Sequence, residues 1–180
     1  MIFRWFVPTS RDRSIASLYG TIVAQARVPA FYRNYGVPDT VNGRLEMIML
    51  HAILVLHQLQ EGTAKSREIG QRLFDRFCRD MDNSMREMGV GDLAVPRKMR
   101  RIGKAFYGRQ SAYGRALAAA HDGQLAALLA RNVFAGSAEG EGPARLAIYI
   151  RRALDALGEQ NGFEHGEISF PDPEQVPVNA

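Results

Sequence analysis

No segment of the chain alternates apolar and polar residues at the spacing of a strand; apolar positions recur instead at i, i+3 and i+4, the spacing of helices that bury one stripe. Ile15, Leu18, Ile22, Val23 and Ala26 mark such a stripe on a first helix, which Thr9 or Ser10 can cap and which Pro29 ends. Phe31, Tyr32 and Tyr35 lead into Gly36 and a Val-Pro-Asp-Thr turn, where Asp39 or Thr40 can cap a second helix to about Glu61. That helix is apolar on nearly every side from Leu45 to Leu59, so the others should enclose it. Gly62 stops it, and Thr63 or Ser66 opens a third helix to about Met88, with Ile69, Leu73, Phe77, Met81, Met85 and Met88 on its stripe.

Gly89 and Gly91 make the next turn, Asp92 caps a short turn, and Pro96 suits the start of a fourth helix whose stripe is Met99, Ile102, Phe106, Tyr113 and Leu117. Gly103, Gly108 and Gly114 inside it imply either close approach by another helix or a kink, because each costs about 1 kcal/mol relative to Ala. Asp122 begins a fifth helix to about Phe134, residues 136–142 form a flexible link, and a sixth helix covers about residues 143–159. The pattern predicts an all-α, single-domain bundle of about six helices. Residues 1–8 read as an apolar, aromatic segment in which Trp5 and Phe6 pack onto the domain, 9–162 as the helical domain, and 163–180 as a tail. After Arg152 come six acids and no Lys or Arg, and the end is Pro-rich, so the tail should be disordered.

Charge changes this picture at one place. Arg97, Lys98, Arg100, Arg101, Lys104, Arg109 and Arg115 fall on the fourth helix, and no Asp or Glu occurs between Asp92 and Asp122. None of the seven has an acidic partner one turn away on its own helix. The net charge of +4 is therefore a local excess, since the other 16 Lys and Arg face 19 Asp and Glu. Such a face suits anionic lipid headgroups, nucleic acid phosphates or an acidic protein surface. Met81, Met85 and Met88 share one face, which either fills the core or, with Tyr107 beyond it, offers a flexible apolar grip to a client.

The candidates for catalysis and metal binding are weak. His51 and His57 are six residues apart and cannot grip a metal together as an i, i+4 pair would. The single cysteine, Cys78, sits in an apolar helical pattern and reads as a small hydrophobe in a reducing compartment. Asp75, Asp80 and Asp82 alternate with arginines as a solvated, self-neutralising face does, and the glycines of GVGD lack the context of a phosphate loop. No metal, no cofactor and no enzymatic activity are expected. The opening residues do not form a secretory signal, and the longest apolar block is about half the roughly 20 residues of a membrane span, which predicts a cytoplasmic chain.

Two long stretches, ARVPAFYRNYGVPDTVNGRLEMIMLH and LFDRFCRDMDNSMREMGVGDLAVPRKMRRIGKAFYGRQSAY, resemble the ubiquinol-cytochrome c chaperone family over about residues 18–134. The matching positions are Asp39, Thr40, Gly43, Arg44 and Glu46, then Asp80, Met81 and Asp82, then Arg86, Glu87, Gly89, Val90, Gly91 and Asp92, then Phe106, Tyr107, Gly108 and Arg109. Pro96 departs from the pattern, which has Gly or another small residue there. The resemblance implies a non-catalytic assembly factor for respiratory complex III, the cytochrome bc1 complex, that receives newly made cytochrome b or other bc1 assembly intermediates. The opening residues do not read as an Arg- and Ser-rich transit peptide, which points to a bacterial member, peripheral on the inner face of the cytoplasmic membrane. A small partner protein or the ribosome would be further partners, and DNA would not. Joined to the residue pattern, it assigns the seven cations to a membrane or partner surface, and Met81, Met85, Met88 and Tyr107 to client contact. An RNA- or ribosome-binding module using the basic helix is the alternative.

Overall fold

A computed structural model describes residues 10–119, 121–136 and 140–177. The N-terminal octet with Trp5 and Phe6, the Thr9 cap and the middle of the 136–142 link lie outside the described residues. Among the described residues seven α-helices follow in order: α1 (Ser10–Ala26), α2 (Pro29–Arg33), α3 (Val41–Glu61), α4 (Ala64–Glu87), α5 (Val95–Leu117), α6 (Gly123–Asn132) and α7 (Gly142–Gly158). No strand occurs among the described residues.

Threonines start the two helices that build the centre. The Thr40 hydroxyl accepts from the Gly43 amide at 3.0 Å, and the Thr63 hydroxyl accepts from the Ser66 amide, each satisfying one of the amides a helix start leaves unpaired. At Gly43 only glycine fits, because a Cβ would lie 2.0 Å from the Pro38 carbonyl oxygen. From Met47 to Leu56 every residue of α3 is buried, and α1, α4, α5 and α7 pack around it. The all-round apolar run thus becomes the axis of an all-α bundle, each fully buried Leu or Ile contributing about 1.5–3 kcal/mol. Pro29 does more than end α1: its fixed φ also starts the five-residue α2, a helix too short for a periodic signal.

His51 is the polar exception in that axis. Its Nδ1 lies 2.8 Å from the Met47 carbonyl oxygen, which can only accept, so Nδ1 carries the proton and Nε2 accepts from the Tyr149 hydroxyl at 3.0 Å. Gln25 Nε2 donates both to that hydroxyl at 3.0 Å and to the Pro171 carbonyl at 3.1 Å. Burial holds the His51 imidazole down at about 4, so the ring stays neutral.

The Pro171 contact belongs to a segment expected to be disordered. Residues 163–177 instead wrap back over α1, α2 and α7, through short 3₁₀ turns at Gly162–His165 and Pro173–Gln175. Phe170 meets the His51 ring edge-on with centroids 5.2 Å apart, and Val176 is buried. Arg145 donates twice to the Val176 carbonyl, at 3.1 and 2.8 Å, and stacks over Tyr35. Acidic composition is a poor guide here because few apolar residues hold this strap; backbone carbonyls accepting from half-buried Gln25 and from buried Tyr35 and Arg145 hold the rest. Residues 178–180 lie outside the described residues.

Two further expectations are corrected. A Cβ at Gly103, Gly108 or Gly114 would meet nothing within 4 Å, so they do not mark close approach by another helix, and α5 continues through all three. Asp92 does not cap; its carboxylate is held by the Arg86 guanidinium. Asp122 does stand at the start of α6, as expected, with its carboxylate held by Arg151, which also donates to the Leu117 and Ala119 carbonyls at the end of α5.

Candidate functional site

The candidate surface is built on α5 and the flanks it shares with α3, α4 and α6. Its core stripe holds the helix in place, with Phe106 and Tyr113 buried and Met99, Ile102 and Leu117 half-buried. Phe106 stacks with Phe77 and Phe74 of α4 at centroid distances of 5.2 and 5.0 Å, which fixes the rotation of α5 about its axis. That rotation turns Arg97, Lys98, Arg100, Arg101, Lys104 and Arg115 to solvent. Among the described residues none of these six forms an ion pair; Arg115 donates only to the Ser111 hydroxyl at 2.6 Å.

Arg109 is different. It points inward to Glu46 of α3 at 2.5 Å, with only 19 % of its side chain and 14 % of the Glu46 side chain exposed. Burial pushes the Glu46 carboxyl up, and the Arg109 charge and hydrogen bond pull against that. The place of Arg109 among the free cations is therefore corrected: a charge this deep is tied up in the fold. The signal was present in the spacing, since Ile102, Phe106, Arg109 and Tyr113 share one row, and Arg109 interrupts the apolar stripe.

Arg101 and Lys104 border a shallow cleft floored by Ala105, Gly108 and Ala112, and Arg131 of α6 closes its far side. Here the glycine has a visible effect, leaving the floor low and open beneath the cations. Arg131 had no sequence signal of its own, because α6 reaches α5 only through the fold.

On its other flank α5 forms an apolar groove with α3 and α4. Tyr107, 56 % exposed, stands over Phe74 with centroids 5.2 Å apart, and Leu56, Leu59 and Gly70 line a cavity of about 200 Å³ beneath them. Gln60 and Gln110 stand at its edge and also border a second hollow, which continues along α3 past Ile53 and His57 to Gly114. Of the four residues read as client contacts, Tyr107 is thus accessible and Met88 is exposed. Met81 and Met85 are buried at 8 % and 6 % exposure, so core filling, not a methionine groove, is their role. Phe74, Leu56 and the glutamines were the missed members of the apolar surface; in the sequence they are ordinary helix positions.

Among the described residues no group of three or more His, Cys, Asp or Glu could hold a metal ion. His57 reaches only Glu61 at 3.7 Å, and burial raises the Cys78 thiol above its usual range, the opposite of an activated nucleophile. No described helix is long and apolar enough to cross a membrane.

A family model for the ubiquinol-cytochrome C chaperone matches residues 33–170, which hold both grooves, the basic helix and the Glu46–Arg109 pair. The chain belongs to that family. It is also 36 % identical to the Cbp3 homolog from Brucella abortus, whose crystal structure superposes with a TM-score of 0.85 over 93 % of this chain and 94 % of that one. Among curated proteins no sequence matches it. Within this chaperone family match, the sequence positions quoted above now have physical roles. Thr40 and Gly43 make the α3 start, Asp80 accepts from the Tyr19 hydroxyl at 2.8 Å to join α4 to α1, and Arg86 holds Asp82 and Asp92.

Proposed function

We propose that this chaperone acts without catalysis in assembly of the cytochrome bc1 complex, receiving newly made cytochrome b or a related assembly intermediate at the inner face of the cytoplasmic membrane. The observation that carries the reading is the sharing of one helix by two unlike surfaces. On α5, exposed cations that form no ion pair among the described residues stand beside Tyr107 and its apolar groove. A polytopic client during insertion presents apolar segments close to anionic headgroups, and a helix with one cationic and one apolar flank meets both at once. Family membership and the likeness to the Cbp3 homolog support the chaperone role. The ring of Tyr107 over Phe74 supports an apolar client contact.

Reduced-minus-oxidised haem b and c1 spectra of membranes from cells lacking the protein test this. Loss of the bc1 haem signals, restored by the wild-type chain, is expected. Unchanged spectra would overturn the reading and turn attention to RNA, for which binding should fall steeply with salt.

A further inference from the structure

Two apolar side chains stand out of the turn between α4 and α5. Leu93 is 99 % exposed and Met88 59 %, and neither borders the groove or the cleft described above. The turn is held in shape by backbone bonds, Gly89 to the Arg86 carbonyl at 2.9 Å, Val90 to Met85 at 3.0 Å and Ala94 to Gly91 at 2.8 Å. Arg86 adds a clamp, gripping Asp82 from α4 and Asp92 from the turn. Leu93 is thus presented by an ordered tip.

Behind the tip the charges line up. Leu93, Arg97 and Arg101 are spaced four residues apart, and Arg100 and Lys104 fall on the same side of the helix. At 1.5 Å per residue the cations from Arg97 to Lys104 extend about 10 Å along α5, starting just past the turn that carries Leu93. The acids nearby are Asp82, Glu87 and Asp92; Arg86 pairs with Asp82 and Asp92 and offsets one of the three charges, which leaves two negative charges against the five positive ones of Arg97, Lys98, Arg100, Arg101 and Lys104.

We infer that this tip is a membrane anchor: Leu93 and Met88 enter the boundary between headgroups and acyl chains of an anionic bilayer, while the cations of α5 lie along the headgroups. The inference rests on the membrane reading proposed above and names the part of the surface that enters the lipid. A projecting apolar side chain on a convex tip needs a matching pocket in a protein, whereas an acyl boundary accepts it without one. A straight row of cations with no acid interspersed fits a laterally uniform negative surface better than a protein surface, which mixes both signs.

Sedimentation with vesicles of phosphatidylcholine, with and without phosphatidylglycerol, tests it on the full chain. The wild-type protein should sediment only with the anionic vesicles, and Leu93→Asp should lower its partition by about tenfold while leaving the melting curve in place. The chain has a single tryptophan, Trp5, so a Trp5→Phe/Leu93→Trp variant reports on the tip alone. Its emission should shift to the blue on anionic vesicles and be quenched by brominated acyl chains. Wild-type sedimentation with an unmoved Trp emission and an unaffected Leu93→Asp would overturn insertion and leave the surface reading standing. No sedimentation of the wild type with anionic vesicles would overturn both. Normal vesicle binding by Leu93→Asp, joined to lost haem b signals in cells, would overturn the bilayer as occupant and assign the tip to a protein contact.

Discussion

Glu46 and Arg109 meet at 2.5 Å across the interface of α3 and α5, and each keeps one buried atom without a partner, Glu46 Oε2 and Arg109 Nε. Removing one member strands the other charge away from water. Arg109→Ala should therefore cost about 3 kcal/mol in a denaturant titration, and the double change Glu46→Gln/Arg109→Met clearly less. Equal losses for the two variants would show that packing, not the stranded charge, sets the cost. Anionic vesicle binding by the folded Arg109→Ala protein should stay close to the wild-type level, because the Arg109 charge is paired with Glu46 and only 19 % of its side chain is exposed.

The exposed cations make the opposite prediction. Changing Arg97, Arg100, Arg101 and Lys104 together to Glu should release the protein from anionic vesicles, yet shift stability by no more than about 0.5 kcal/mol per site, since none is paired among the described residues. Retained binding would remove the basic face from the mechanism.

Phe106 and Tyr107 are adjacent in sequence and opposite in role. Phe106 is fully buried against Phe74 and Phe77, so Phe106→Ala should cost about 3–5 kcal/mol by chemical denaturation. Tyr107→Ala should change the melting curve far less and lower haem b incorporation in cells. A large stability loss at Tyr107 would mean that the groove is structural and not a client surface.

The strap of residues 163–177 should behave as part of the fold. Ser169 donates its amide to Gln160 Oε1 at 2.8 Å, and Phe170 and Val176 cover the core. Deleting residues 168–180 should cost at least about 3 kcal/mol, the burial of two large apolar side chains. Hydrogen exchange gives an independent check: the Ser169 amide should be protected in the full chain.

What could be read from the sequence follows from how local each determinant is. The apolar run of α3 and the stripes of α4 and α5 depend on neighbours three and four residues away, so their helices and the bundle class were legible. The exposed cations were legible for the same reason. Arg109 was misplaced because its partner lies on another helix, although its position in the row of Ile102, Phe106 and Tyr113 signalled an inward charge. The strap was missed because its fixing bonds come from Gln25, Tyr35 and Arg145, far away in the chain. Leu93 was passed over because an isolated leucine in a turn has no periodicity to interpret.

His51 gives the bundle a definite response to acid. Its imidazole is held at about 4 by burial, against an ordinary value near 6.5. Between those two values the unfolded chain takes up a proton that the folded chain refuses, so stability falls as pH drops from about 6.5 and the loss is complete below about 4. A shift of this size corresponds to about 3 kcal/mol. Glu46 works the other way, since burial raises its carboxyl and the folded protein holds that proton more readily as the pH falls. Subtracting a His51→Gln variant isolates the histidine: the wild-type unfolding free energy should decline more steeply across this window, and the two curves should run parallel above pH of about 7. Curves parallel throughout would mean that His51 is not the group that refuses the proton. The Tyr149 hydroxyl, which donates to the same imidazole nitrogen, would then be satisfied in both protonation states by a rearranged Gln25.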